Sequence, residues 1–194
     1  MQDKYRELNQ VSVKEPDIIF IGDSIVEYYP LQELLQTNKV LINRGIRGYK
    51  TDLLLGNLDA HLFGPALDKV FILIGTNDIG KEIPQSETLE NLEGVIQKIS
   101  REYPLAQIQL LSVLPVNEGE EYKGTVYLRT NGKIQDLNRA YQGLASIYTN
   151  VQFIDLYETL LDETGQLDQE FTTDGLHLTI AGYALLSSEL DKYL

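Results

Sequence analysis

Five short runs of apolar residues, many of them β-branched, alternate with longer stretches in which apolar side chains recur every three or four residues. An uninterrupted apolar run is typical of a strand buried on both faces of a parallel sheet, whereas the longer spacing is typical of an amphipathic helix. This alternation predicts an α/β protein with helices on both faces of one parallel sheet. The predicted strands are Ile18–Ile21, Lys39–Asn43, Lys69–Ile74, Gln107–Val113 and Val151–Asp155.

The stretches between these strands predict the helical layers. Residues 1–16 are polar and predict a short helix or arm. Because no repeat or linker divides the chain, a single domain over residues 1–194 is expected. Helices are predicted after Ser24, from about Thr51 as an N-cap, from Ser86, over Ile134 to Leu144, and from about Thr179. The buried side of the helix from Thr51 is expected to consist of Leu53, Leu54, Leu58 and Leu62.

Charge and composition narrow the classes of function. The 194 residues carry 29 acidic and 16 basic side chains, a net charge of −13, which disfavours binding to nucleic acid and to anionic membranes. There is no cysteine, which excludes disulfides, thiolate catalysis and cysteine-bound zinc, and two distant histidines make a histidine metal site unfavourable. No apolar leader or membrane-length apolar run is present, so a cytoplasmic protein without stable membrane insertion is expected.

The first predicted strand leads directly into Gly22, Asp23 and Ser24. Glycine permits a sharp turn there, and the carboxyl ends of strands in open parallel sheets are where ligands bind. Ser24 is therefore a candidate nucleophile. The alternative is that Asp23 or Ser24 only caps the following helix.

His177 lies in a polar, glycine-rich loop three residues after Asp174. A histidine base needs a serine partner and an acid that orients its ring, and this spacing lets the carboxylate reach the imidazole. The alternative is a surface histidine near a helix start. His61 has no such neighbours and is expected to be structural or exposed.

An acyl-transfer site also needs hydrogen-bond donors for the oxyanion. The backbone amides of Ser24 and Gly48 and the side-chain amide of Asn77 are candidates, although Gly48 could be an ordinary turn glycine and Asn77 a helix cap. Tyr28, Tyr29 and Tyr49 could form an aromatic wall at the mouth of the pocket or could belong to the core.

Two other site types are disfavoured. Asp23 could be a phosphate-accepting or metal-binding acid on a receiver-like sheet, but no lysine follows the fourth or fifth strand. The loop Gly45–Gly48 lacks the Gly-Lys-Ser/Thr ending of a phosphate loop, and Val26 replaces the second glycine of the Gly-x-Ser-x-Gly elbow.

The segment 117–131 is long and acidic, which suggests a lid, a binding loop or mobile surface.

Four short blocks occur in one order along nearly the whole chain: Gly22–Ile25, Gly48, Gly75–Asp78 and Asp174–His177. Together they resemble the signature blocks of the SGNH or GDSL hydrolases. The loop Asn43–Gly48 is most similar to the branch related to platelet-activating-factor acetylhydrolase subunits. Tyr49 is a departure, because many members carry an acid after the block-two glycine.

The resemblance implies a flavodoxin-like three-layer α/β/α sandwich with five parallel strands in the order 2-1-3-4-5. It implies Ser24 as nucleophile, His177 as base and Asp174 as its orienter, with Ser24, Gly48 and Asn77 as the oxyanion hole. Asp23 and Tyr49 are expected near the substrate.

The expected activity is a serine esterase that hydrolyses small acyl esters without a cofactor or metal. A non-hydrolytic module that binds a small ligand or phosphate is the alternative. The expected partner is the ester itself, and the sequence leaves a homo-oligomer open.

Overall fold

The computed structural model describes residues 1–194 and is built around a five-stranded parallel sheet. The strand order is β2-β1-β3-β4-β5, so the predicted parallel sheet and its order are confirmed. The strands are β1 Ile18–Gly22, β2 Leu41–Gly45, β3 Lys69–Leu73, β4 Gln107–Leu111 and β5 Val151–Ile154.

The helices fill the connections between the strands. They are α1 Gln2–Val11, α2 Ser24–Glu27, α3 Leu31–Leu34, α4 Thr51–Gly56, α5 Leu58–His61, α6 Thr76–Gly80, α7 Gln85–Glu102, α8 Lys123–Val126, α9 Asn131–Ala145 and α10 Ile180–Leu190. Short 3-10 turns cover Glu120–Tyr122, Glu158–Leu160, Gln169–Phe171 and Asp191–Tyr193.

Strand β1 shows why the molecule has three layers. All of its residues are buried, and successive side chains of a strand point to opposite faces of the sheet. Ile19 and Ile21 therefore join the core beneath α4, α7 and α9, whereas Ile18 and Phe20 join the core beneath α2, α3 and α10. Phe20 stacks on Phe71 of β3 with ring centroids 4.4 Å apart, which ties the two central strands together on that second face.

Gly22 is required where β1 ends beside β3. A Cβ atom at this position would lie 1.9 Å from the carbonyl oxygen of Leu73, closer than any side chain can approach. The strands can therefore remain in register to this point while the chain turns into α2. The turn sets Ser24 directly at the carboxyl edge of the sheet.

The helix predicted from Thr51 differs from the expectation in two respects. Thr51 is the first helical residue rather than the N-cap, because its amide and hydroxyl both donate to the buried carboxylate of Asp78 in the first turn of α6. The helix also divides into α4 and α5, and Leu53 is 40% exposed while Leu54 and Leu58 are buried. The expectation that Leu53 is buried was wrong, because the observed helix turns that position toward solvent.

His61 is fully buried, so the expectation that it might be exposed was wrong and the structural interpretation holds. Its Nδ1–H donates to the carbonyl oxygen of Arg44 over 2.7 Å, while its Nε2 has no hydrogen-bond partner. The rings of Tyr5 and Tyr49 pack against the imidazole. Burial lowers the pKa of His61 from 6.5 to about 4, so the folded protein holds this side chain neutral.

This neutral histidine predicts a stability that depends on pH. The unfolded chain binds a proton near pH 6.5 and the folded chain only near pH 4, so stability is lost as the pH falls through this range. We expect His61→Asn, whose amide can still donate to Arg44, to weaken that dependence. Thermal melts at pH 7 and pH 5 should show a larger drop in Tm for the wild type than for the variant. Equal drops would contradict the burial of a neutral imidazole.

Candidate active site

Ser24 lies at the first position of α2, immediately after β1 and the capping residue Asp23. Its side chain is largely buried, and its Oγ lies 2.9 Å from Nε2 of His177, although 153 residues separate the two along the chain. The parallel sheet makes this contact because the loops that follow its strands share one edge. The structure therefore brings the first and last blocks of the sequence pattern into direct contact.

His177 and Asp174 lie in the loop that precedes α10. Nδ1 of His177 is 2.8 Å from Oδ2 of Asp174, and Oδ1 of the same carboxylate accepts the backbone amides of Leu176 and His177. The loop is closed at its base by a hydrogen bond from the amide of Thr173 to the carbonyl of His177. Both side chains are thus held by their own loop before any substrate is present.

The protonation pattern of the imidazole follows from these contacts. Burial raises the pKa of Asp174, but the backbone and side-chain N–H groups of His177 outweigh it, so the net pKa lies below the usual value. An ionised carboxylate can only accept a hydrogen bond, so the proton of the neutral ring is on Nδ1. The lone pair of Nε2 is then free to accept the Ser24 hydroxyl proton.

The three candidate oxyanion donors follow β1, β2 and β3. Gly48 has φ +75°, a conformation that other residues rarely adopt, and its amide makes no hydrogen bond within the protein. The Ser24 amide opens α2, where the first amides have no partner within the helix. Asn77, at the start of α6, donates one Nδ2–H to the carbonyl of Tyr49 over 2.9 Å.

Asp23 does not lie where a substrate could contact it. Its side chain is 1% exposed and accepts the amide of Ile25 over 2.9 Å, as a helix cap does. Burial raises the pKa of Asp23 to about 7, against the Ile25 hydrogen bond and the positive charge of Arg129. The expectation of a substrate-contacting Asp23 was wrong, because the cap uses the carboxylate inside the fold. This also weighs against a phosphate site at Asp23.

Tyr49 is also absent from the pocket. Its side chain is 5% exposed, its hydroxyl donates to Oε1 of Gln2, and its ring packs against His61. Helix α1 therefore covers this tyrosine, and only its carbonyl faces the site, through Asn77. Tyr29 is buried as well, with its hydroxyl bonded to Ser187. The expectation of Tyr49 at the mouth was wrong, because the pattern did not show that α1 packs there.

Tyr28 is the aromatic side chain that does flank the site. It is 44% exposed, and its ring centroid lies 5.5 Å from that of His177. Together with Leu178 and Ile180 it lines an open cleft of about 530 Å³ that includes His177 and Asp174. A substrate can therefore reach the imidazole from an apolar, solvent-facing side.

Arg129 is a residue of the site that the sequence pattern did not reveal. It lies between α8 and α9 and is 9% exposed, and its Nη2 donates to Oδ1 of Asn77 over 2.9 Å. The available signal was a basic residue in an acidic segment, just before the α9 cap Thr130. The segment 117–131 itself folds against the 174–177 loop, where the amide of Asn117 donates to the carbonyl of Gly175.

Comparison with known proteins identifies the family. The model of the GDSL-like lipase/acylhydrolase family matches residues 20–185. The chain therefore belongs to this family, and its membership makes it a hydrolase of the ester-cleaving class.

Individual relatives agree with this assignment. The chain is 29% identical over 185 residues to platelet-activating factor acetylhydrolase IB subunit alpha2 of Rattus norvegicus, covering 93% of this chain and 77% of that one. It is 30% identical over 193 residues to an N-acylneuraminate cytidylyltransferase of Escherichia coli, covering 98% of this chain but 42% of that protein. A solved Streptococcus pneumoniae structure, described as a candidate platelet activating factor, has 63% identity and a TM-score of 0.97, with 99% and 90% of the chains covered.

None of the helices combines the length and the apolar character that a transmembrane span would require.

Proposed function

We propose that this protein is a serine esterase that cleaves small carboxylic esters, with residues 1–194 acting as one hydrolase domain. The observation that carries the proposal is the aligned series of contacts from Ser24 Oγ to His177 Nε2 (2.9 Å) and from His177 Nδ1 to Asp174 Oδ2 (2.8 Å). A hydroxyl, a base and an orienting acid in this geometry are the arrangement that activates a serine.

Acylation begins when Oγ of Ser24 attacks the carbonyl carbon of the ester. The hydroxyl proton passes to Nε2 of His177, and the negative charge of Asp174 stabilises the imidazolium that forms. The tetrahedral intermediate then collapses, the bond to the alcohol oxygen breaks, and the imidazolium gives its proton to the departing alcohol. The acyl group remains on Ser24.

Deacylation reverses the roles with water as the nucleophile. His177 takes a proton from water as the water oxygen attacks the acyl carbon, and the same proton returns to Ser24 Oγ as the acid is released. Each intermediate places a negative charge on the former carbonyl oxygen. The amides of Ser24 and Gly48 and the free N–H of Asn77 supply the donors for that charge.

We further propose that the acyl group is acetyl or another short chain. Support comes from the relatives whose name specifies an acetylhydrolase, which the chain matches over 93% of its length. The open cleft beside Tyr28 and Ile180 then accommodates the alcohol portion of the ester, because it is the side from which His177 is exposed. No residue of this scheme requires a cofactor.

The nucleophile is tested with Ser24→Ala. Because Ser24 forms the acyl-enzyme, we expect hydrolysis of p-nitrophenyl acetate to fall by about 10⁴-fold or more, and a fluorophosphonate to label the wild type but not this variant.

The oxyanion hole is tested with Asn77→Ala, which removes one oxyanion donor and should lower kcat for the same ester by roughly 10²–10³-fold.

Ser188→Ala, which alters an exposed serine on α10, is the matched control and should retain wild-type activity. A wild type that neither reacts with the fluorophosphonate nor hydrolyses any short p-nitrophenyl ester would overturn the proposal.

The role of Asp174 is tested with Asp174→Asn. The new Oδ1 can still accept the amides of Leu176 and His177, but an NH₂ group now faces Nδ1 of the ring. This reverses the tautomer, so Nε2 carries the hydrogen and cannot accept the Ser24 proton. We expect kcat to fall by about 10⁴-fold with little change in Tm. Near-normal turnover in a folded variant would show that Asp174 does not orient the base.

A further inference from the structure

Arg129 is a buried cation without an ion-pair partner. It is 9% exposed, and none of the salt bridges in the structure includes it. Burying a charge is costly unless hydrogen bonds compensate for it, so the contacts of this guanidinium indicate what it does for the fold.

All of its contacts are to oxygen acceptors on two elements. Nε donates to the carbonyl and hydroxyl oxygens of Thr76 at 3.0 and 3.2 Å, and Nη1 donates to the carbonyl oxygens of Thr125 and Val126, each at 3.2 Å. Nη2 donates to Oδ1 of Asn77 at 2.9 Å. The guanidinium therefore joins α8 to the start of α6, where the candidate oxyanion donor lies.

The fold leaves space for this side chain at Gly80. A Cβ atom at that position would lie 2.5 Å from Cζ of Arg129 and 2.6 Å from its Nη2. Any larger residue at position 80 would displace the guanidinium. The absence of a side chain at Gly80 thus allows the guanidinium to lie close to α6.

The Asn77 amide is held from both of its ends. Arginine has donors and no acceptor, so the atom facing Nη2 must be Oδ1, and the NH₂ group must lie on the other side. There one N–H is bonded to the carbonyl of Tyr49, which leaves the second N–H without a partner in the protein. The orientation of this amide is thereby fixed by one cation and one carbonyl.

We propose that Arg129 is a positioning residue that fixes and polarises the Asn77 amide so that its free N–H is directed to the oxyanion of the ester intermediate. This inference rests on the esterase function proposed above. A positive charge bonded to Oδ1 draws electron density from the amide, which makes the N–H on the opposite end a stronger donor. The carboxylates whose charges favour this cation are Asp23 and Asp174, both beside the nucleophile and its base.

A double-mutant cycle separates this role from a general contribution to folding. Arg129→Met in the wild-type background should lower kcat for p-nitrophenyl acetate by about 10-fold or more with little change in KM, because the lost interaction acts on the transition state. In the Asn77→Ala background the same substitution should change kcat by no more than about twofold. Equal losses in both backgrounds would overturn the proposal.

Arg129→Lys covers the case in which the methionine variant does not fold. Lysine keeps the charge but cannot bond Thr76 and Asn77 together as the guanidinium fork does, so an intermediate loss that also disappears in the Asn77→Ala background is expected. Arg139→Met, at an exposed arginine of α9, is the matched control and should leave kcat unchanged.

A readout independent of activity distinguishes failure of this inference from failure of the proposed function. The side-chain amide resonances of Asn77 in a ¹H–¹⁵N spectrum should shift in Arg129→Lys and remain in place in Arg139→Met. Unchanged resonances would refute the contact even in an active esterase. An inactive wild type in which these resonances do shift would refute the esterase function and leave the orientation of Asn77 by Arg129 in place.

Discussion

The hydrogen bond between the Ser24 hydroxyl and the His177 imidazole is the contact on which the candidate site depends, because it joins the end of the first strand to a loop just before the last helix. It forms because all five strands are parallel, so the turn after β1 and the segment that follows β5 lie at the same edge of the sheet. Gly22 lets β1 approach β3 closely and then turn, and the self-bonded loop 172–178 holds His177 opposite. A change in either support would separate the two atoms.

Around this contact the protein buries ionisable side chains and gives each one specific hydrogen-bond partners. Asp78 accepts the start of α4, Asp23 caps α2, and Arg129 ties α8 to α6. Such groups are costly when unpaired, so their hydrogen bonds restrain the loops of the site. The site is thus held in its geometry by the packing of neighbouring loops and not by the three candidate catalytic residues alone.

The strands and the choice of Ser24, Asp174 and His177 as candidates could be predicted from the residues themselves, whereas the strand order was implied by the resemblance to the SGNH or GDSL hydrolases. An apolar run indicates a strand that is buried on both faces, and short polar blocks at the ends of strands indicate which loops lie close together. The positions of Tyr49, His61 and Arg129 could not be predicted from the sequence. They depend on the packing of α1 and α8, which carry no apolar run. A sequence pattern shows which positions are apolar, but it does not show which buried polar atoms form hydrogen bonds with one another.

The most direct test of the proposed catalytic site is a crystal structure of the protein after reaction with a diethyl p-nitrophenyl phosphate ester. We expect phosphorus bonded to Ser24 Oγ and a phosphoryl oxygen within hydrogen-bond distance of the amides of Ser24 and Gly48 and of Nδ2 of Asn77. We also expect Nε2 of His177 to face the adduct, with Asp174 still bonded to Nδ1. Phosphorus on another residue, or an oxygen directed away from these three donors, would contradict it.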